Sequence, residues 1–182
     1  MLFRSPGTLT RQQKLDNCGL CHSGMRNNFL PSFSYLVGDD LDKFFFPTSP
    51  VSTDTSPEVH GNQVGLLASS KCFQMSEMEC STCHDVHKRE TKNITLFSAR
   101  CMSCHQQGSD MFCKQPPVEG LNLSGNCIDC HMPSLPSQKL FLQTSAGAQA
   151  KPFFMRTHLI GHYKDEVAAF LNNLKHDQSH SN

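Results

Sequence analysis

Residues 80–87 read Cys-Ser-Thr-Cys-His-Asp-Val-His. The core of this stretch is Cys-x-x-Cys-His, and the same spacing recurs at Cys18–His22, Cys101–His105 and Cys127–His131, four copies in all. One copy could arise by chance or be a metal-binding cysteine pair. Four copies, each followed at once by histidine, are the attachment pattern of c-type haem. Two thiols add across the porphyrin vinyl groups as thioethers, and the histidine takes the proximal axial position on the iron. The attachment residues are therefore Cys18, Cys21, Cys80, Cys83, Cys101, Cys104, Cys127 and Cys130, with His22, His84, His105 and His131 as proximal ligands. The cofactor expected is four c-type haems, each with its iron.

The stretch carries a second histidine, His87, three residues after His84. On a helix that spacing is about one turn, so both rings would leave the same side. His87 then could not reach round to the far face of the haem that His84 holds, but could serve a neighbouring iron. A solvated surface histidine is the plainer reading. Other distal candidates are His60, where Gly61 would let backbone pass close to a flat ring, and His158, flanked by apolar residues. His162 is a fourth candidate. His158 and His162 are four apart and would share a helix face. His176 and His180 lie in a polar tail with no specific role assigned.

Composition agrees with this reading. The chain has 182 residues, no Trp and 37% hydrophobic residues, a length that suits one domain. Such a domain normally needs a sizeable side-chain core. Porphyrins would supply part of it, wrapped by short irregular segments. The expected fold is mainly α with much irregular coil and few or no β-strands, as one haem-packed domain over residues 1–182. Residues 164–182 form its C-terminal helix and tail. A formal net charge of zero argues against nucleic acid held by a basic face. No apolar run approaches the length of a membrane span.

Eight of the ten cysteines fall in the four motifs. Cys72 and Cys113 remain, and in an oxidising compartment they suggest a disulfide. Haem attachment follows export, so a periplasmic or extracellular location is expected. Residues 1–12 lack the apolar core of a signal peptide. Either a signal has been removed or the chain is the C-terminal part of a longer reading frame, and the early first motif favours the latter.

Outside the motifs, a helix is expected over Leu9–Leu15, and Gly24, directly after the first motif, reads as a helix stop. Residues 29–46 are rich in aromatics that would either cover a haem edge or pack as ordinary core. Residues 47–57 read as a polar, Pro-rich surface loop. A helix follows over Val64–Ser70. Lys88-Arg89-Glu90 reads as a solvated charge run, with contact to haem propionates as the lesser alternative. Asn93-Ile94-Thr95 matches a glycosylation acceptor weakly. Pro133 should end any helix there, and Met132 is read as packing. Residues 134–152 read as an extended wrap or loop. Residues 164–175 form the clearest amphipathic helix, with Val167, Phe170, Leu171 and Leu174 on one face.

Val59-His60-Gly61-Asn62, Cys80–His87, Cys127–Pro133 and Arg156-Thr157-His158 together resemble the multihaem cytochrome c class. That class includes the tetrahaem cytochromes of ammonia oxidisers, the pentahaem nitrite reductases and the octahaem hydroxylamine oxidoreductases. The resemblance covers roughly residues 18–163 and rests on the haem sites. It implies closely stacked haems, mostly with two histidine ligands, and distal roles for His60, His87 and His158. Two departures stand out. No Cys-x-x-Cys-Lys site is present, and only Tyr35 and Tyr163 are available for a tyrosine cross-link.

The function expected is electron transfer to and from redox partner proteins in a respiratory chain. Two imidazoles keep the iron low-spin and its potential below that of a His/Met pair. The alternative is an oxidoreductase, or a fragment of one, acting on nitrite or hydroxylamine at an open iron. A third reading is an assembly subunit, as a homo-oligomer or within a larger respiratory complex.

Overall fold

The structure, a computed structural model, describes residues 5–24, 26–31, 33–46 and 62–179, with the side chains of 138, 139 and 175–179 excepted. His60, Gly61, the Pro-rich loop and His180 lie outside the described residues, as does the side chain of His176. The helices are α1 (Arg11–His22), α2 (Gln63–Ala68), α3 (Lys71–Gln74), α4 (Cys80–Cys83), α5 (Ile94–Met102), α6 (Cys127–His131) and α7 (Lys164–Ser179). Strands β1 (Ser134–Leu142) and β2 (Lys151–Arg156) pair in a two-stranded sheet. The mixture of short helices and coil agrees with the expected class. None of the described helices is long and apolar enough to cross a membrane.

The chain divides into two compact units. The first holds Met1–Ser81 and Leu135–Ile160, the second Thr82–Ser134 and Gly161–Asn182. The boundary falls inside the second motif, so Cys80 groups with the first unit and Cys83 and His84 with the second.

In the first unit α1 is the central element. Thr10 and Gln13 form a reciprocal capping box at its start, each side chain bonding the other's backbone. The helix ends at His22, and Gly24 leaves it with φ 75°, as its position suggested. Leu15, Leu41 and Leu66 are buried here, and α1 packs against α2 and the turn at Leu41–Lys43. Asp16 is also buried; its carboxylate accepts from Gln12 Nε2 at 2.7 Å and from the Leu41 amide at 3.3 Å. α2 overlaps the expected helix, starting one residue earlier and ending two residues sooner, and is capped by Asn62, whose side chain accepts from the Gly65 amide at 2.9 Å.

The aromatic stretch does not make an ordinary core. Phe29, Phe33, Leu36 and Phe46 are exposed, while Tyr35, Phe44 and Phe45 are half-buried. Backbone pairing between residues 27–29 and 44–46 holds the stretch as a loop closed at its neck. The extended wrap expected over residues 134–152 is in part a hairpin. Residues 143–150 are too few for a crossover, so the strands run antiparallel. Pro136 fits because each strand of a two-stranded sheet is an edge.

In the second unit α5 packs on α6 and on the turn Leu123–Gly125, and α6 packs on α7. Asn93 caps α5 by accepting from the Leu96 amide at 3.0 Å, so the weak glycosylation match coincides with a helix start. α6 ends at His131, and Pro133 follows, buried. On α7, Val167, Phe170, Leu171 and Leu174 are half-buried while Ala168 and Ala169 are exposed, as the amphipathic pattern requires. The helix continues to Ser179, past the expected end.

Candidate haem-binding centre

Each unit brings two motifs together through their first cysteines. In the first, Arg11, Lys14 and Cys18 lie at helical spacing on one face of α1. Arg11 donates to the Met78 carbonyl at 2.9 Å and to that of Phe73 at 3.1 Å. Lys14 Nζ reaches Glu79 Oε1 at 3.3 Å. These contacts lay residues 73–79 along α1 and deliver Cys80 to Cys18, with the two thiols hydrogen-bonded. The Cys80 bond holds Cys18 down at about 7 despite burial, and the same partnership pushes Cys80 up.

In the second unit, Ser98 and Cys101 lie three apart on α5, hence on one face. Ser98 is fully buried, and its Oγ accepts from the Cys127 amide at 2.9 Å. The start of α6 is thereby fixed against α5, and the Cys127 thiol bonds that of Cys101. That bond, aided by Ser98, holds Cys127 down at about 6 against its burial.

Two of the motif histidines are oriented by backbone. His105 Nδ1 lies 2.7 Å from the Met111 carbonyl oxygen, and His131 Nδ1 lies 2.8 Å from that of Gly161. A carbonyl oxygen only accepts, so Nδ1 must carry the proton in each ring. That tautomer leaves the Nε2 lone pair for a metal, the usual arrangement of a ligating histidine. The donor set fits a c-type haem: each motif supplies two thiols and an imidazole, and His105 and His131 keep the correct nitrogen for a metal. Among the described residues no group of three or more His, Cys, Asp or Glu converges on one point. A haem iron takes at most two ligands from the protein, so it does not need such a group.

No protein-family model, curated protein or solved structure matches this chain.

The expected residues are placed as follows. His22 is exposed at the end of α1, and His84 is exposed with its ring 5.3 Å from that of Phe97. α4 ends at Cys83, and residues 85–88 turn instead, closed by the Lys88 amide on the Asp85 carbonyl at 3.1 Å. His84 and His87 are thus not on one helix. Asp85 competes for the backbone, accepting from the His87 amide at 3.0 Å, and draws that segment into a turn. His87 is exposed.

His158 and His162 likewise do not share a helix face, because residues 157–163 are not helical. His158 is half-buried in the first unit. Ser70, 1% exposed, anchors its backbone by donating to the His158 carbonyl at 3.3 Å and accepting from the Ile160 amide at 2.8 Å. His162 belongs to the second unit, with its ring centroid 6.5 Å from that of His131. Cys72 and Cys113 belong to the first and second units respectively, and neither is in a disulfide. The expected disulfide is not formed. Cys113 instead lies in electrostatic range of Cys130, whose thiol is pushed up by burial first and by Cys113 second.

The charge run after the second motif is not wholly solvated. Arg100 grips Glu90 with two bonds of 2.8 and 2.6 Å and also donates to the Cys83 carbonyl. Glu90 accepts from the Asp85 amide as well, at 3.1 Å. Its side chain is 8% exposed, whereas Lys88 is surface-exposed and pairs with Asp85. This bidentate clamp ties the end of the second motif to α5. No local signal marks it, because the partners are ten residues apart across a turn. The Arg100 guanidinium holds the Glu90 carboxyl down from 4.5 to about 2. The clamp's stabilisation should therefore be fully present above about pH 4.5 and be lost as pH falls toward 2. Acid unfolding followed by circular dichroism should lose this component in Glu90→Gln, whose curve would be flatter across that window than the parent's.

Proposed function

We propose that this chain is a tetrahaem c-type cytochrome that carries electrons between redox partner proteins outside the cytosol. The observation that carries the reading is the pairing of motif starts: the Ser98 bond to the Cys127 amide sets Cys127 beside Cys101 on α5, and the Arg11 and Lys14 contacts lay residues 73–79 along α1 toward Cys18. Groups attached at two adjoining cysteines would be neighbours, and neighbouring redox groups exchange electrons readily. The proximal His105 and His131 would bind iron through Nε2 while their carbonyl partners fix ring orientation and raise ligand basicity. Haem supplies a one-electron ferric–ferrous couple when bound.

The modest interior also supports the reading. Among the described residues the buried hydrophobic side chains are Leu15, Leu41, Leu66 and Ile128. A polypeptide of this length usually buries many more. Exposed apolar side chains such as Phe29, Phe46, Phe141 and Phe154 offer surface against which a flat macrocycle could pack.

The test is electron paramagnetic resonance of the oxidised, haem-loaded protein. Low-spin signals alone are expected for a carrier with two axial ligands on each iron. A high-spin ferric signal, together with turnover of nitrite or hydroxylamine, would replace the carrier with an oxidoreductase.

A further inference from the structure

The expected distal histidines do not come with assigned irons, but for one of them the geometry makes an assignment. We infer that His162 is the second axial ligand of the iron attached at Cys127–His131, opposite His131. This rests on the haem reading given above.

Gly161 makes two bonds to one residue. Its carbonyl accepts from His131 Nδ1 at 2.8 Å, and its amide donates to the His131 carbonyl at 3.1 Å. The next residue is His162, so its backbone is fixed relative to the proximal ligand by a two-bond clasp. The same clasp that sets the His131 tautomer thus sets where the second imidazole starts.

The ring separation fits that role. Two imidazoles bound through nitrogen to one metal at about 2.0–2.1 Å each have centroids about 6.2–6.5 Å apart. His131 and His162 stand 6.5 Å apart. Their planes are inclined at 66°, which axial ligation permits because it does not require the two imidazole planes to be parallel. His162 makes no hydrogen bond among the described residues, so its ring is not committed elsewhere. A bare edge-to-face contact between two imidazoles also fits that spacing, and the experiment separates the two.

The full chain is produced with its haems attached, and haem content is counted by mass in every variant. His162→Ala should keep four haems while about one iron in four turns from low-spin to high-spin ferric, with added imidazole restoring the low-spin form. His162→Met should stay low-spin while one midpoint potential rises, since a thioether ligand favours the ferrous state. In a background lacking the fourth attachment site (Cys127→Ala with Cys130→Ala), His162→Ala should add no high-spin signal. A His162→Ala protein with four haems and low-spin signals only would overturn the inference. So would an added high-spin signal in the background without the fourth site. If His162→Ala does not mature, unchanged potentials in His162→Met would overturn it equally. A parent chain without covalent haem would instead defeat the functional reading itself.

Discussion

Leu66→Ala will lower the unfolding free energy by about 2–5 kcal/mol, a large share of the stability of a small domain. Leu66 is 2% exposed and lies on the face of α2 that meets α1. Truncation removes its transfer free energy and leaves a cavity that the short α2 cannot easily close. Two further contacts depend on this helix. The one proton of Ser70 Oγ is shared between the Leu66 and His158 carbonyls, each at 3.3 Å, and the same oxygen accepts from the Ile160 amide. The measurement is denaturant unfolding of the haem-loaded protein, with the m-value checked for constancy. Expressed as melting temperature, the change should be about 2–4 °C for each kcal/mol. A loss below about 1 kcal/mol would mean that the first unit does not rest on its leucine cluster.

Removing one attachment site will remove one haem and disturb one neighbour. Cys127→Ala with Cys130→Ala should give a protein that carries three haems and takes up three electrons in a reductive titration instead of four. Because Cys127 adjoins Cys101, the haem at the third motif should change its midpoint potential. The corresponding loss at the first motif should act on the haem at the second, through Cys18 and Cys80. Double-variant cycles express this as coupling energies, with the first and second motifs coupled and the third and fourth coupled. Midpoints at the third motif unmoved by loss of the fourth would contradict the pairing.

The motifs and several helix ends were legible in the sequence because they depend on local chemistry. Gly24 and Pro133 end their helices through backbone chemistry local to each residue, and the face of Val167, Phe170, Leu171 and Leu174 is a matter of period. The pairing of motifs was not legible. It depends on Arg11 and Lys14 reaching carbonyl and carboxylate groups more than sixty residues away, and on Ser98 reaching the Cys127 amide. The helix expected across His84 and His87 failed because the Asp85 side chain bonds backbone locally, which composition alone does not weigh against helix propensity. His158 and His162 were read at helical spacing, but Ser70 and Gly161 hold their backbones in non-helical conformations. Glu90 looked like one member of a charge run, and only the Arg100 guanidinium, which pairs with it and also donates to the Cys83 carbonyl, distinguishes it.

The most direct test of the account is the intact mass of the chain after export through a host that matures c-type cytochromes, set against its mass after unfolding and extraction with acidified solvent. Four haems that stay with the polypeptide through extraction are predicted, with all eight motif cysteines resistant to alkylation and Cys72 and Cys113 open to it. A chain that leaves the extraction without haem, or with its motif cysteines free to alkylate, would contradict the reading on which every functional conclusion here depends.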